Sequence, residues 1–332
     1  MPHIVVIAPD SFKGTLSARD AAAALSAGWV SVLPDDTITR LPQADGGEGT
    51  LDAVEAAVPG AERIIVRAVT GPDGRPVDAS WLRLPDGTAV VELAEPSGLP
   101  LMAALDPLGA TTRGLGEVIA AALASHPTRL LVGLGGSAST DGGLGILEVV
   151  PTVDLEVVLL TDVTAPLLGP TGAAAVFGPQ KGANPEQVVL LEERLAELAA
   201  RLGGDPDAAG AGAAGGTAYG LAAAWGASIR SGSDYLADLT GLDAAIAGAT
   251  IVLTGEGRFD AQSLGGKVVG RVLDQAAASG VAVAVIAGDL ALSPTEWSRS
   301  LTTIAGSPEA AMADPARWLR EAGASVASAF TD

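Results

Sequence analysis

Arg129 to Gly145 reads R-L-L-V-G-L-G-G-S-A-S-T-D-G-G-L-G. Leu130, Leu131, Val132 and Leu134 form a short apolar run suited to a buried strand, after which the chain breaks into glycines, small hydroxyl residues and one acid. This is the pattern of a strand feeding a phosphate-sized loop, with a helix expected to begin near Thr140 or Asp141. Glycine lets the backbone approach an anion and aim successive N–H groups at it, and the positive end of a helix adds to that attraction. The plain alternative is a tight strand-to-helix turn that holds no ligand.

Working outward, the same grammar recurs toward both chain ends. Ile4 to Ala8 is an apolar strand that leads into Pro9-Asp10-Ser11-Phe12-Lys13-Gly14, and Ser17 caps an expected helix over 18–30. Thr37 to Leu41 reads as a second strand, followed by Ala44-Asp45-Gly46-Gly47-Glu48-Gly49-Thr50 and a helical run over 51–58. Asp45 and Glu48 suit solvated caps there, or partners for a metal or a hydroxyl. Near the other end, Ile251 to Leu253 is a strand tip entering the loop Thr254-Gly255-Glu256-Gly257-Arg258-Phe259-Asp260, and Lys267 opens a helix to Ala278. Val281 to Ala287 and Leu301 to Ala305 are read as further buried strands.

Between these ends the grammar changes. Ile65 to Val69, Val77 to Leu84 and Thr88 to Leu93 are short β-rich runs separated by Gly71-Pro72-Asp73-Gly74 and Pro85-Asp86-Gly87, an antiparallel meander that opens an inserted domain. Thr111 and Thr112 precede a helical run over 115–124, which they cap unless they contact ligand. Leu155 to Leu160 is another buried strand, and it places Asp162 at a strand end. A charged helix over 185–202 carries a polar face read as solvated. Residues 204–220 read as a linker or as a second loop of backbone donors. The expected architecture is α/β: a Rossmann- or flavodoxin-like parallel-sheet domain over 1–62 and 235–332, and an inserted α/β domain with a mixed sheet over 63–234.

Composition narrows the chemistry. With 332 residues, 48% of them hydrophobic, the chain has room for two domains with real cores. Nineteen basic residues against 39 acidic ones give a formal net charge of −20, so neither nucleic acid nor an anionic membrane surface is an expected partner, and an anionic ligand needs local donors. No cysteine is present, which excludes disulfides and thiolate chemistry. His3 and His126 are the only histidines and read as surface residues, so a histidine relay is also excluded. No basic leader precedes Ile4, and the expected location is cytoplasmic. Lysine is the informative residue: Lys13, Lys181 and Lys267 are the only three, and each touches a glycine. Arginine carries the rest of the positive charge, so lysine is retained where a compact ammonium fits, as beside a phosphate.

Six motifs in order, A-P-D-S-F-K-G, A-D-G-G-E-G-T, G-G-S-A-x-x-D-G-G, P-L-L-G-P-x-G-A, V-F-G-P-Q-K-G-A and T-G-E-G-R-x-D, resemble the bacterial two-domain glycerate kinase family over nearly the whole chain. The resemblance implies ATP-dependent phosphorylation of D-glycerate at the 2-hydroxyl. Two features depart from the family: the connection over 145–157 is short, and Ala165 stands where Asn is usual. Phosphoryl transfer needs Mg²⁺, lysines and backbone N–H groups to offset phosphate charge, and a carboxylate to orient the attacking hydroxyl.

The expected catalytic set is therefore Lys13, Asp45, Asp162 and Lys181, with Asp162 preferred as base. Asp10, Ser11, Gly46, Gly47, Thr111 and Thr112 are expected to bind substrate or nucleotide. Gly135, Gly136, Ser137, Asp141 and Gly142 share that expectation, as do Gly255, Glu256, Arg258 and Lys267. Asp260 and Glu48 are the expected Mg²⁺ partners. A homodimer is left open. The rival readings are an NAD(P)-dependent oxidoreductase, since Gly133-x-Gly135-x-x-Ala138 fits the dinucleotide fingerprint, and a kinase for a related small hydroxy acid.

Overall fold

Apolar runs alternating with glycine-rich breaks form two sheets in the computed structural model, which describes residues 2–12, 14–265 and 267–331, with residue 331 as backbone only. The strands among these residues are β1 (Ile4–Ile7), β2 (Thr37–Arg40), β3 (Glu62–Thr70), β4 (Pro76–Arg83), β5 (Thr88–Glu92) and β6 (Arg129–Gly133). They continue with β7 (Glu156–Leu160), β8 (Ser228–Arg230), β9 (Ile251–Phe259), β10 (Ala282–Leu290) and β11 (Arg299–Ser300).

One sheet has the order β11-β10-β9-β1-β2, and every neighbouring pair in it is parallel. The other runs β3-β4-β5-β6-β7-β8. Its β3, β4 and β5 pair antiparallel, as the turn sequences predict, and β5 through β8 pair parallel. Contacts divide the chain into two units: the first takes residues up to Asp45, 52–59 and from Ser233 on, the second 46–51 and 60–232.

In the first unit the strand period of two sorts the core. Val5 and Ile7 of β1 face a cluster with Leu25 and Trp29 of the helix Ala18–Val30 and Leu319 of the helix Pro315–Thr331. Val6 and Ala8 face the opposite cluster, with Val269 and Val272 of the helix Val268–Ser279. Helices cover both sheet faces, so β1 and the first residues of β9 and β10 are apolar on both sides, whereas the edge strand β2, Thr-Ile-Thr-Arg, is largely exposed. In the second unit Leu130 and Val132 of β6 pack on Leu115, Val118 and Ile119 of the helix Arg113–Leu123.

Local signals set the helix starts. Ser17 accepts a bond from the Asp20 amide, and Asn184 forms a capping box with Gln187 ahead of the helix Pro185–Leu202. Three elements differ from expectation. Leu301–Ala305 is a helix, with only Arg299–Ser300 as strand; Leu301 and Ile304 face the same core, a spacing of three that suits a helix and not a strand. β9 runs on to Phe259, so T-G-E-G-R-F is strand and not loop. After β6, the helix begins at Leu144, behind Gly143 at φ 78°. Among the described residues no helix is long and apolar enough to cross a membrane.

Candidate functional site

In the first unit, residues at and beyond the carboxyl ends of β1, β9 and β10 line a cleft of roughly 430 Å³. That edge is where open α/β sheets hold ligands. It brings together five residues expected from the sequence, Asp10, Ser11, Glu256, Arg258 and Lys267, and adds Asp289, which sequence reading missed. Ser11 is 5% exposed. Its amide donates to Asp10 Oδ1 at 2.6 Å, while its Oγ is buried without a hydrogen-bond partner, a costly arrangement that an incoming polar group would relieve. Lys267 is the N-cap of the helix Val268–Ser279, with no side-chain capping bond.

Gly255 has another use. A Cβ there would lie 1.8 Å from the Ile286 carbonyl oxygen, so this glycine lets β9 approach β10, and its carbonyl accepts the Asp10 amide at 2.9 Å. Asp260 ties its own turn: Oδ1 accepts the Gln262 amide at 2.9 Å, and Oδ2 lies 3.5 Å from Arg258 Nε. Lys13 lies outside the described residues. His126 is exposed, whereas His3 is half-buried against Asp36 and Phe330, which the surface reading of it missed.

The second unit carries the glycine loop after β6. Gly135 donates to the Gly46 carbonyl at 3.0 Å, and a Cβ on Gly135 would sit 2.3 Å from Gly47 Cα. Gly46, at φ 86°, presses in turn on the Leu160 carbonyl. These glycines let one loop backbone lie on another. Gly142 is likewise internal: its amide donates to Gly215 at 3.1 Å, and its left-handed backbone abuts Leu198. Gly215 belongs to a left-handed run, 214–216, inside the helix Ala213–Trp225, so the segment read as a linker or donor loop braces the central loop. Gly136 differs. It is exposed, at φ 77°, and among the described residues no acceptor takes the amides of Gly136 or Ser137.

Asp141 is a hub. Oδ2 accepts the Thr112 amide at 2.9 Å, the Thr112 hydroxyl at 2.8 Å and the Gly145 amide at 3.3 Å, and Oδ1 accepts the Gly143 amide at 3.1 Å. Thr112, fully buried, also accepts the Ile146 amide at 3.3 Å. Thr111 accepts the Arg113 amide at 3.2 Å. Together they close the turn that the late helix start leaves open. The dinucleotide fingerprint therefore fails in three dimensions, because the helix it requires begins at Leu144, well past the fingerprint.

Beneath this loop lies Lys181, 3% exposed, with Nζ donating to the Ser139 carbonyl. Burial pulls its ammonium down to about 8, with the negative charge of Asp141 acting in the opposite sense. Asp162 Oδ1 accepts the Ser231 hydroxyl and the Gly232 amide, each at 2.9 Å, where the helix Gly232–Thr240 begins. Asp45 is half-buried and Glu48 exposed. The polar face of the helix Pro185–Leu202 is less free than its charge pattern implied: Arg194 donates to the Leu108 carbonyl at 3.0 Å.

Sequence reading also missed Glu92. This acid, 4% exposed at the end of β5, accepts the Gly49 and Leu51 amides, each at 3.0 Å. It thereby holds the A-D-G-G-E-G-T loop; the only signal was one acid closing an apolar strand. Replacing Glu92 with Gln turns one of its two acceptors into a donor facing an amide, and should cost roughly 1–3 kcal/mol. Thermal unfolding checks this; an unchanged midpoint would mean that the loop holds itself.

A family model described as the glycerate kinase family matches residues 5–152 and 148–331. The glycerate 2-kinase of Escherichia coli K12 is 41% identical over 304 residues, covering 80% of this chain and 79% of its own. The glycerate kinase of Bacillus subtilis 168 is 40% identical over 328 residues, covering 86% and 85%. A crystal structure from Salmonella typhimurium LT2, provisionally assigned as a glycerate kinase 2, superposes with a TM-score of 0.81 at 34% identity, covering 100% of this chain and 99% of its own.

Proposed function

The chain belongs to the glycerate kinase family, and from that premise we propose that it transfers the γ-phosphoryl group of ATP to the 2-hydroxyl of D-glycerate, giving 2-phosphoglycerate and ADP. The observation that carries the reading is the buried Lys181 under a glycine loop whose Gly136 and Ser137 amides have no protein acceptor among the described residues. A cation and backbone donors in one loop are what an anionic group in transfer requires. In this proposal Lys181 supplies charge behind the loop and Lys13 supplies charge after β1. Asp162 orients the attacking hydroxyl and takes its proton, with Asp45 as the other candidate.

Mg²⁺ takes hard oxygen donors, and one or two carboxylates suffice where phosphate oxygens complete the shell. Asp10 and Glu256 line one cleft and are donors of that type. Of the acids expected from the sequence, Glu48 and Asp260 do not line this cleft, so the proposed donors are Asp10 and Glu256. The ion would offset phosphate charge when bound.

The test is purified protein with Mg·ATP and D-glycerate, L-glycerate, glycolate or lactate, the product being read by phosphorus NMR. Coupling of the new phosphate to a single methine proton identifies the 2-phosphate. Coupling to a methylene pair would overturn the regiochemistry, and preference for another acid would make the protein a kinase for a related hydroxy acid.

A further inference from the structure

The first-unit cleft has two kinds of lining. Leu301, Pro308, Ala311, Met312 and Pro315, from the segment after β11, are apolar. Met312 is 64% exposed, more than any other large apolar side chain among the described residues. The polar lining sets Asp10, Glu256 and Asp289 against Arg258 and Lys267, with Asp289 and Arg258 paired in register on β10 and β9. Ser11, 95% buried by its 5% exposure, contributes an unpartnered Oγ. At Lys267, the uncapped first turn of a 12-residue helix adds amide donors to the lysine charge.

This lining is a poor match for a three-carbon hydroxy acid, because glycerate has no apolar face to set against five apolar side chains. A cleft of roughly 430 Å³ instead lies in the range of about 300–1,000 Å³ that encloses ligands of drug size. The nucleoside part of a nucleotide fits both linings: a flat base covers apolar side chains, and sugar hydroxyls donate to the remaining carboxylate, Asp289. The phosphates find positive charge in Lys267, in the helix amides and in the Mg²⁺ that Asp10 and Glu256 would hold. We propose that this cleft binds the nucleoside of the phosphoryl donor, with the base against Met312 and its apolar neighbours and the phosphates passing Lys267. The inference rests on the reading of the chain as an ATP-dependent kinase.

The experiment compares wild-type, Met312→Asp and Lys267→Ala proteins. Binding of unlabelled ADP and of adenosine is measured by titration calorimetry beside the KM values for ATP and glycerate. Met312 is exposed, so its substitution should leave the far-UV circular dichroism unchanged. Met312→Asp should weaken ADP and adenosine by about tenfold and raise KM for ATP, with KM for glycerate unmoved. Lys267→Ala should weaken ADP by a similar factor and leave adenosine alone, since adenosine carries no phosphate. ADP affinity indifferent to Met312→Asp in a protein that does phosphorylate glycerate overturns the assignment of the cleft and spares the functional reading. A raised KM for glycerate with intact ADP binding gives the cleft to the acid and overturns the inference in the same way. Wild-type protein that binds ADP at a Met312-sensitive site yet phosphorylates no hydroxy acid overturns the functional reading and spares the cleft.

Discussion

Lys181→Met is expected to lower kcat/KM for phosphoryl transfer by roughly 10²–10³-fold, the range for removing one preorganised electrostatic donor, while making the protein more stable. The side chain is 3% exposed and its ammonium is held down to about 8 by burial. Because the folded-state value lies below that of an unfolded lysine, protonating Lys181 opposes folding. Wild-type stability relative to the variant therefore falls as pH drops from about 10.5 to about 8, and the deficit is constant below that. At neutral pH the relief in Lys181→Met is on the order of 3 kcal/mol, since methionine keeps the volume and carries no charge to desolvate. The Ser139 carbonyl loses its donor, which takes back roughly 1–3 kcal/mol and leaves a small net gain. The activity limb has the opposite use for the proton. If the ammonium is what assists transfer, wild-type kcat/KM falls as pH rises through about 8, and the variant's residual activity lacks that limb. A variant that is less stable and as active as wild type would make Lys181 a structural strut. Arg67, 75% exposed in its side chain, is the fitting control; Arg194 is not, because it is bonded to Leu108.

The parts of the fold that were legible in the sequence are those set by neighbours along the chain. Ser17 and the Asn184 capping box place two helices, and Gly71 to Gly74 and Pro85 to Gly87 place the meander turns between β3, β4 and β5. The parts that were not legible depend on partners far along the chain. Glycine beside small polar residues looks the same whether its missing side chain admits a ligand or another backbone. Gly135 meets Gly47 and Gly255 meets Ile286, and neither partner is a neighbour in sequence. Asp141 read as a ligand contact because it sits among glycines, yet Thr112 claims its carboxylate from a different helix start. Among the described residues of the loop, Gly136, Ser137, Thr140 and Asp141 retain the unmatched amides that the motif suggested for the whole of it, and of these only Gly136 is exposed. In the first unit, Asp10, Ser11, Glu256, Arg258 and Lys267 were each legible as candidates because they sit near glycines and strand ends, but not as one group: the sequence places them alongside Gly46, Thr111 and the central loop, and Glu256 and Arg258 lie within β9.

The distinction between ligand-facing and backbone-facing glycines makes Gly135→Ala the more damaging of two outwardly similar changes. Gly135 does not need a left-handed backbone, since its φ is not positive. Its requirement is space alone: a Cβ would lie 2.3 Å from Gly47 Cα and 3.1 Å from Gly47 N. Those are main-chain atoms that cannot rotate away, so the loop at 46–51, or β6 with its following turn, must move. The expected cost is about 3 kcal/mol or more, at the upper end for overpacking, together with a loss of at least about tenfold in kcat/KM as the two loops lose register. Gly226→Ala is the matched control. Gly226 closes the helix Ala213–Trp225 at φ 69° with no atom within 4 Å of a Cβ, so alanine there costs only the left-handed backbone, about 1–2 kcal/mol. Unfolding midpoints and kinetics of the two variants decide the matter. Equal, small losses would mean that the approach of Gly135 to Gly47 carries no weight, whereas a large stability loss confined to Gly135→Ala shows that this glycine is retained to let the two site loops touch.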